Sequence, residues 1–186
     1  MEARYANGPR RGEDKGFGLA EQLMTLAVLA VVAAIAMPSF HRLMVGHELR
    51  VAQTDYMAAL YHARNLAVNE QVRVILCPSR DALTCNDDND WQSGWLVAFD
   101  PDGQKKPEGQ PRYVGGKYSN SIRIVGSNKK YFWFKPDGSS AGTLQRLVFC
   151  TRERSPRVLT LRVAMQGRIR AAAPEAEDVA KCSAEG

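Results

Sequence analysis

The amino-terminal third of the chain carries a long apolar segment that passes into a one-sided helical pattern. Residues 23–37 contain one threonine and no charged side chain, and the segment reaches 21 residues when it is counted from Phe17. About 20 such residues cross the hydrocarbon core of a bilayer. Beyond it, apolar residues recur at offsets of three and four, which predicts an amphipathic helix. Those residues are Phe40, Leu43, Met44, Leu49, Ala52, Tyr56, Ala59, Leu60, Ala63, Leu66 and Ala67.

Both patterns belong to one predicted helix over residues 17–69. Pro38 stands late in the apolar run, and we expect it to bend the helix without ending it, because helices at a membrane tolerate proline. The first half is apolar on all sides and is expected to pack in lipid or against copies of itself. The second half is one-sided and is expected to pack against a globular head.

A cleavable secretory signal is the alternative interpretation of the apolar segment. A charged leader precedes it over residues 1–16, and Ala34-Ile35-Ala36 has the small residues of a signal cleavage site. The helical pattern continues well past that site, which favours a retained helix over a signal that is removed.

The remaining residues, 72–186, predict a β-rich head. Short apolar and β-branched runs are separated by turn sequences at residues 100–103, 115–116 and 136–138. The predicted strands cover residues 72–77, 95–99, 122–125, 131–134, 147–151 and 158–163. The fold class is therefore α+β, with a long N-terminal helix, membrane-spanning in its first half, packed on a C-terminal antiparallel sheet. The predicted divisions are a cytoplasmic leader at 1–16, the helix at 17–71 with its transmembrane half at 17–38, and the head at 72–186.

Four cysteines in the head indicate disulfides. Cys77 and Cys85 can close a local loop, and Cys150 can attach the polar C-terminal tail through Cys182. We favour this sequential pairing, in which the second bridge contributes about 3 to 4 kcal/mol in the loop-entropy model. Zinc is the alternative, but no pair has the short Cys-x-x-Cys spacing. Disulfides imply an oxidising compartment, so the head is expected in the periplasm or outside the cell.

The sequence offers little support for an enzyme. His41, His47 and His62 all lie on the predicted helix, and the head therefore lacks the usual general base. We predict no catalytic residue, no cofactor and no metal site. The acidic residues in 87–90 and the turn at 100–103 are candidate calcium ligands, but the turn lacks the glycine and bidentate glutamate of an EF-hand. A solvated loop is the favoured interpretation.

Positive charge is concentrated late in the chain. The whole chain carries a net charge of +5, whereas residues 146–170 hold seven arginines and a single acid, Glu153. If this stretch is extended, Arg168 and Arg170 point to one face about 6.6 Å apart, a spacing suited to successive phosphates. The alternative is a solvated strand edge that charge protects against aggregation.

The segment GFGLAEQLMTLAVLAVVAAIAMPSF, residues 16–40, resembles the N-terminus of type IV pilins and pseudopilins. That family has Gly-Phe-Thr-Leu-x-Glu followed by a long apolar run with a late proline. The resemblance implies that a prepilin peptidase cuts after Gly16 and methylates the new N-terminus, Phe17. It also implies that Glu21 is the glutamate of the motif and Pro38 the late proline.

Glu21 is the charged residue that most needs an explanation in this segment, because an ionised carboxylate in hydrocarbon is costly unless it is paired. Cleavage after Gly16 creates a cation, the α-amino group of Phe17. We expect Glu21 to pair with that group on a neighbouring subunit during assembly. The alternative is that Glu21 reaches the lipid headgroups within one chain. The sequence departs from the motif at Gly18 and Gln22, where Thr and Leu are usual, and neither departure touches the residues that define cleavage.

The head is similar to the GspH/FimT family of minor pilins and pseudopilins. The similarity covers residues 16–182 and rests on a cysteine loop followed by a Trp-rich strand, a later strand that ends in Cys150, and a Gly-Arg-x-Arg element. In FimT-type members this element is implicated in binding DNA during natural transformation. The resemblance implies DNA binding, double-stranded and without sequence preference, by Gly167, Arg168 and Arg170, with Arg162 as a basic neighbour.

Three functions are therefore considered. The leading one is a minor pilin that primes or caps a type IV pilus and binds DNA during uptake. The second is a GspH-like pseudopilin of the type II secretion system, and the third is a signal-anchored periplasmic binding domain that never polymerises. The first two imply a hetero-oligomeric filament with other pilins or pseudopilins, processing by a prepilin peptidase, and a single-pass inner-membrane protein with a periplasmic head.

Overall fold

The computed structural model describes residues 18–126, 130–140, 144–153 and 155–183. Two of the predicted site residues, Gly16 and Phe17, lie outside this part of the chain. The chain divides into two compact units, Met1–His41 and Arg42–Gly186. Helix α1, Leu19–Glu70, begins in the first unit and ends in the second. It continues through Pro38, as the sequence predicts.

In the first unit, α1 exposes apolar side chains along its length. Leu23, Leu26 and Leu29 are 60–62% exposed, and the neighbouring large apolar residues are similar. Within the described residues, α1 is the one helix that is long and apolar enough to cross a membrane. An apolar helix whose side chains remain exposed in this way is compatible with membrane anchoring.

The second unit holds the strands and a short terminal helix. Among the described residues the strands are β1 Val74–Pro78, β2 Trp95–Phe99, β3 Glu108–Gly115, β4 Ile122–Gly126, β5 Phe132–Phe134, β6 Gln145–Thr151, β7 Val158–Val163 and β8 Ile169–Ala172. They form two antiparallel sheets of four strands, with the orders β3-β2-β1-β5 and β4-β6-β7-β8. A 3-10 helix, Trp91–Ser93, precedes β2, and helix α2, Ala176–Ser183, follows β8.

One hydrophobic core joins α1 to both sheets. The apolar stripe predicted on α1 is buried from Leu49 onward, with Tyr56 and Leu60 fully enclosed. Its first three members, Phe40, Leu43 and Met44, are exposed. Opposite the stripe lie alternate residues of the strands, because every second side chain of a strand points to the same face. They include Val74, Leu76, Val97, Ile122, Ile124, Leu147, Phe149, Leu161, Val163 and Ile169. The fold is thus the predicted α+β arrangement, with a long helix on antiparallel sheet.

The six predicted strands are confirmed to within two residues at either end. The prediction missed β3, β8 and α2. Strand β8 has four residues at the edge of its sheet, and Ile169 is its one buried residue. Strand β3 is an edge strand, and six of its eight residues are exposed, so it has no apolar alternation to read. Helix α2 is short and polar, with Asp178 as its buried residue, and tertiary contacts rather than an apolar stripe hold it in place.

Both bridges of the favoured pairing are present. Cys77 and Cys85 join across a local loop with a Cα–Cα distance of 5.5 Å. Cys150 of β6 joins Cys182 of α2, with a Cα–Cα distance of 5.8 Å. In the described part of the chain no cysteine is free and no group of histidines, cysteines or acids is arranged to hold a metal. The C-terminal tail is therefore covalently attached to the second sheet.

Tyr56 is at the centre of the core. Its ring lies 5.7 Å from that of Phe149 and 5.8 Å from that of Trp91, measured between centroids. Its hydroxyl donates a hydrogen bond to the main-chain oxygen of Trp91, which connects α1 to the 3-10 helix. Burial raises the pKa of this hydroxyl well above its ordinary value, so it remains a donor at any physiological pH.

We predict that Tyr56→Ala lowers the free energy of unfolding by about 3 to 5 kcal/mol, because it opens a cavity where α1 meets both sheets. Tyr56→Phe removes the hydroxyl alone and should cost about 1 to 3 kcal/mol. Tyr113→Phe, at a 43% exposed position, is the control and should change stability by less than about 0.5 kcal/mol. Chemical denaturation of the full chain in detergent measures all three, and a Tyr56→Ala variant as stable as the control would contradict this role.

Candidate nucleic-acid interface

The Gly-Arg-x-Arg element begins in the turn that joins β7 to β8. The N–H of Gly167 donates to the oxygen of Ala164 at 2.8 Å, and the N–H of Ala164 donates to the oxygen of Arg168 at 2.9 Å. Gly167 has a φ of +76°, the left-handed conformation that three-residue hairpin loops place on glycine. Arg168 therefore directly follows the loop, paired with Ala164, and strand β8 begins at the next residue, Ile169.

This turn packs closely against a second turn and against α1. A Cβ atom on Gly167 would lie 1.9 Å from the main-chain oxygen of Gly138. Arg64 of α1 donates from Nε to that same oxygen at 2.9 Å, and the Tyr61 hydroxyl donates to the oxygen of Ile169 at 3.1 Å. Gly167 is thus required both by its backbone conformation and by lack of space, and α1 supports the turn from below.

Arg168 and Arg170 both face the solvent. They flank Ile169, whose side chain is 4% exposed and belongs to the core, so the two arginines are held on a fixed segment. Neither side chain makes a hydrogen bond or ion pair with any residue that the structure describes. Two uncompensated guanidinium groups beside a rigid turn suit the binding of a polyanion.

Arg170 belongs to a row of arginines that runs straight across the second sheet. Arg146 of β6 pairs in register with Arg162 of β7, and Arg162 pairs in register with Arg170 of β8. Residues paired in this way lie on the same face of a sheet, in strands about 4.8 Å apart. The sequence contained these arginines but did not reveal their alignment.

Carboxylates of the C-terminal tail neutralise two members of this row. Glu175 accepts hydrogen bonds from Arg162 Nη2 at 2.6 Å and from Arg146 Nη1 at 2.7 Å. Glu177 accepts from Arg146 Nη2 at 3.1 Å, and the buried Asp178 lies 3.4 Å from Arg146 Nη1. The hydrogen bond from Arg162 is the main cause that lowers the pKa of Glu175. Arg162, predicted as a basic neighbour of the DNA site, therefore has an internal acidic partner.

The start of α2 provides the geometry for these contacts. The main-chain N–H of Glu175 donates to Asp178 Oδ2 at 2.9 Å, as in half of a capping box. Acidic residues in the first turn also interact favourably with the positive end of the helix dipole. The acidic residues of the tail are evident in the sequence, but their pairing with the arginines of β6 and β7 depends on the tertiary fold.

Glu21, the residue predicted to act in assembly, lies in the first turn of α1 and is exposed. Its N–H donates to the oxygen of Gly18 at 3.0 Å, so the helix forms up to this point. The predicted counter-ion, the α-amino group of Phe17, lies outside the described residues. The pairing of the two groups remains a prediction.

The acidic loop considered for calcium has internal partners. Arg80 forms ion pairs with Asp88 and with Asp90, the second at 3.2 Å. In the other candidate turn, the Asp100 carboxylate accepts the main-chain N–H of Lys105 at 3.1 Å. These contacts support the interpretation of both segments as structural loops.

The long apolar helix on antiparallel sheets defines the class of pilin-like proteins, and sequence comparison assigns the family. Residues 52–167 match the family described as Type II transport protein GspH. The chain belongs to this family. The family and the fold are those of structural pilins. The search of curated proteins found no match.

Two crystal structures of one minor pilin agree with the fold. The type IV minor pilin FimU of Pseudomonas aeruginosa PAO1 superposes with a TM-score of 0.57 at 18% identity, over 68% of this chain and 90% of FimU. A second crystal form of FimU gives a TM-score of 0.53 at 16% identity, over 67% and 92% of the two chains. The minor pseudopilin EpsH of the Vibrio cholerae type 2 secretion system gives 0.49 at 10% identity, over 68% and 98%.

We predict that Gly167→Ala destabilises the head by about 1 to 3 kcal/mol, because alanine is strained at a positive φ and its Cβ would meet the oxygen of Gly138. Gln166→Ala, in the same turn but exposed, should stay within about 0.5 kcal/mol of the parent. Thermal unfolding of the full chain in detergent compares the two variants. Equal melting temperatures would show that the close packing of the turns is not needed.

Proposed function

We propose that this protein is a minor pilin that is anchored in the inner membrane by residues 17–38 and assembles with other pilins, priming or capping a type IV pilus. We further propose that its head binds double-stranded DNA without sequence preference during DNA uptake. The observation that carries the DNA proposal is the pair of exposed arginines, Arg168 and Arg170, without acidic partners in the described chain and mounted on a glycine turn that α1 supports.

The chemistry of the arginine pair supports a phosphate ligand. Guanidinium groups match phosphate oxygens in bidentate geometry and keep their charge at every physiological pH. Contacts of this kind, made with phosphates and without base edges, give affinity that does not depend on sequence. Because the turn is already ordered, little conformational entropy is lost when DNA binds.

The first unit supports the assembly proposal. Its apolar side chains are exposed, and lipid or the helices of neighbouring subunits are the environments that remove such a surface from water. Prepilin peptidase would cleave after Gly16 and methylate Phe17. Glu21 would then pair with the α-amino group of Phe17 on a neighbouring subunit. The two disulfides support an oxidising location for the head.

A pseudopilin of the type II secretion system is the second candidate, and the description of the matched family favours it. Such a protein would share the helix and the head but would contact other pseudopilins and secreted cargo. A deletion strain scored in parallel for twitching, DNA uptake and protein secretion separates the two candidates. Loss of secretion with normal twitching and uptake would replace the pilus proposal by the secretion proposal.

Replacement of both arginines tests the DNA proposal. We expect Arg168→Gln/Arg170→Gln to weaken binding of the full chain to duplex DNA and to flatten the dependence of log K on log salt by up to about 0.9 per lost phosphate contact. The measurement is fluorescence anisotropy across a salt series. Lys106→Gln/Lys117→Gln removes the same charge at two exposed positions and serves as the control. Equal losses in the two double variants would refute a specific arginine site.

Replacement of the N-terminal acid tests the assembly proposal. We expect Glu21→Ala to remain inserted in the membrane but to be absent from sheared filaments, because the charge pair with a neighbouring subunit is lost. Membrane fractionation and immunoblotting of pili measure both properties. Gln22→Ala, one residue further along the helix, should enter filaments normally. A Glu21→Ala protein found in pili at the level of the parent would contradict the pairing.

A further inference from the structure

We propose that Arg162 is a third phosphate-binding residue and that Glu175 occupies its phosphate position until DNA displaces it. The start of helix α2 would thus act as an acidic cover over part of the DNA site. The inference rests on the proposed binding of DNA by Arg168 and Arg170, and it adds a regulatory contact to that site.

The register of the second sheet places Arg162 beside Arg170. Arg162 lies directly opposite Arg170 in the neighbouring strand, on the face of the sheet that the Arg170 side chain shares. A strand of DNA held at Arg170 therefore brings its next phosphates within reach of the Arg162 side chain. Electrostatics favours this extension, because each phosphate neutralised by an arginine releases counter-ions.

The contact that Glu175 makes with Arg162 is incomplete. Glu175 Oε1 accepts from Arg162 Nη2 at 2.6 Å, while its Oε2 accepts from Arg146. Arg162 Nε is buried and has no hydrogen-bond partner among the residues that the structure describes. Among the described residues, the other acceptor for Arg162 is the main-chain oxygen of Ala173, at 3.5 Å from Nη2. The guanidinium therefore keeps an unsatisfied donor beside its acidic partner.

A phosphate group is better suited to this guanidinium than the shared carboxylate. Two phosphate oxygens can accept from Nε and Nη2 at the same time, which is the bidentate geometry that arginine forms with phosphate. Such an exchange would satisfy the buried Nε–H, whose lack of a partner is unfavourable in the free protein. DNA can thus compete with Glu175 although the carboxylate is already in place.

The attachment of α2 allows the exchange without loss of the helix. The Glu175 side chain is 52% exposed, so a small displacement releases it into water. At the other end, the Cys150–Cys182 bridge keeps α2 attached to β6. Arg146 retains Glu177 and the buried Asp178 as partners. The contact between Glu175 and Arg146 is lost as well, but Arg162 is the one of the two arginines that needs a new partner.

Removal of the Glu175 charge tests the inference. We expect Glu175→Gln in the full chain to bind duplex DNA more tightly and to steepen the slope of log K against log salt by about 0.9, the value for one further phosphate contact. Between about 50 and 200 mM salt this slope corresponds to a further loss of about 3.5-fold in affinity. In an Arg162→Gln background the same substitution should produce no steepening.

Two matched variants separate this contact from a general effect of charge. Glu177→Gln alters the same helix but faces Arg146 and Lys181 rather than Arg162, and Glu108→Gln alters an exposed position on β3. Both remove one negative charge, and both should leave the slope unchanged. Thermal unfolding is measured alongside, so that a loss of α2 packing is recognised.

The outcomes distinguish this inference from the proposed function. Equal slopes for Glu175→Gln, Glu177→Gln and Glu108→Gln would overturn the inference, as would a steepening that persists without Arg162. If Arg168→Gln/Arg170→Gln binds DNA like the parent, the proposed DNA site itself fails. A flattened slope in that double variant, with no effect of Glu175→Gln, would retain the site and reject the acidic cover.

Discussion

Burial of one apolar stripe of α1 against both sheets is the interaction on which the arrangement of the head depends. Tyr56 and Leu60 of this stripe are fully buried, and the core includes strands from each sheet. The packing also determines where the flanks of the stripe lie. Tyr61 and Arg64 stand beside it on the same helix and hydrogen-bond to main-chain oxygens of Ile169 and Gly138. The position of the exposed arginines therefore follows from the packing of the helix.

Because the turn at Gly167 is packed in this way, Arg168 and Arg170 are held at fixed positions on the surface. A left-handed residue with no Cβ lets the turn lie against the oxygen of Gly138, and the buried Ile169 holds the start of β8 in the core. Arg168 and Arg170 are thus carried by backbone that has already lost its conformational freedom. Such preorganisation favours binding, because less entropy is lost with the ligand.

The topology of the second sheet separates the arginines of residues 146–170 into those with acidic partners and those that face the solvent. Arg146 and Arg162 form ion pairs with the acidic start of α2, whereas Arg168 and Arg170 face the solvent and make no ion pair within the described part of the chain. The disulfide between Cys150 and Cys182 maintains this division, because it attaches α2 to the strand that carries Arg146. The net charge of the stretch therefore overstates the charge that a ligand meets.

The sequence by itself determined the long helix, six of the strands and the Gly-Arg-x-Arg element, because each is a local pattern of residue types. It favoured the sequential cysteine pairing without settling it. It did not determine the edge strands β3 and β8, which are mostly exposed, or α2, which has no apolar stripe. Nor did it show that Arg162 stands opposite Arg170 and beside Glu175. Those contacts join segments distant in sequence, and strand register and the packing of α1 decided them.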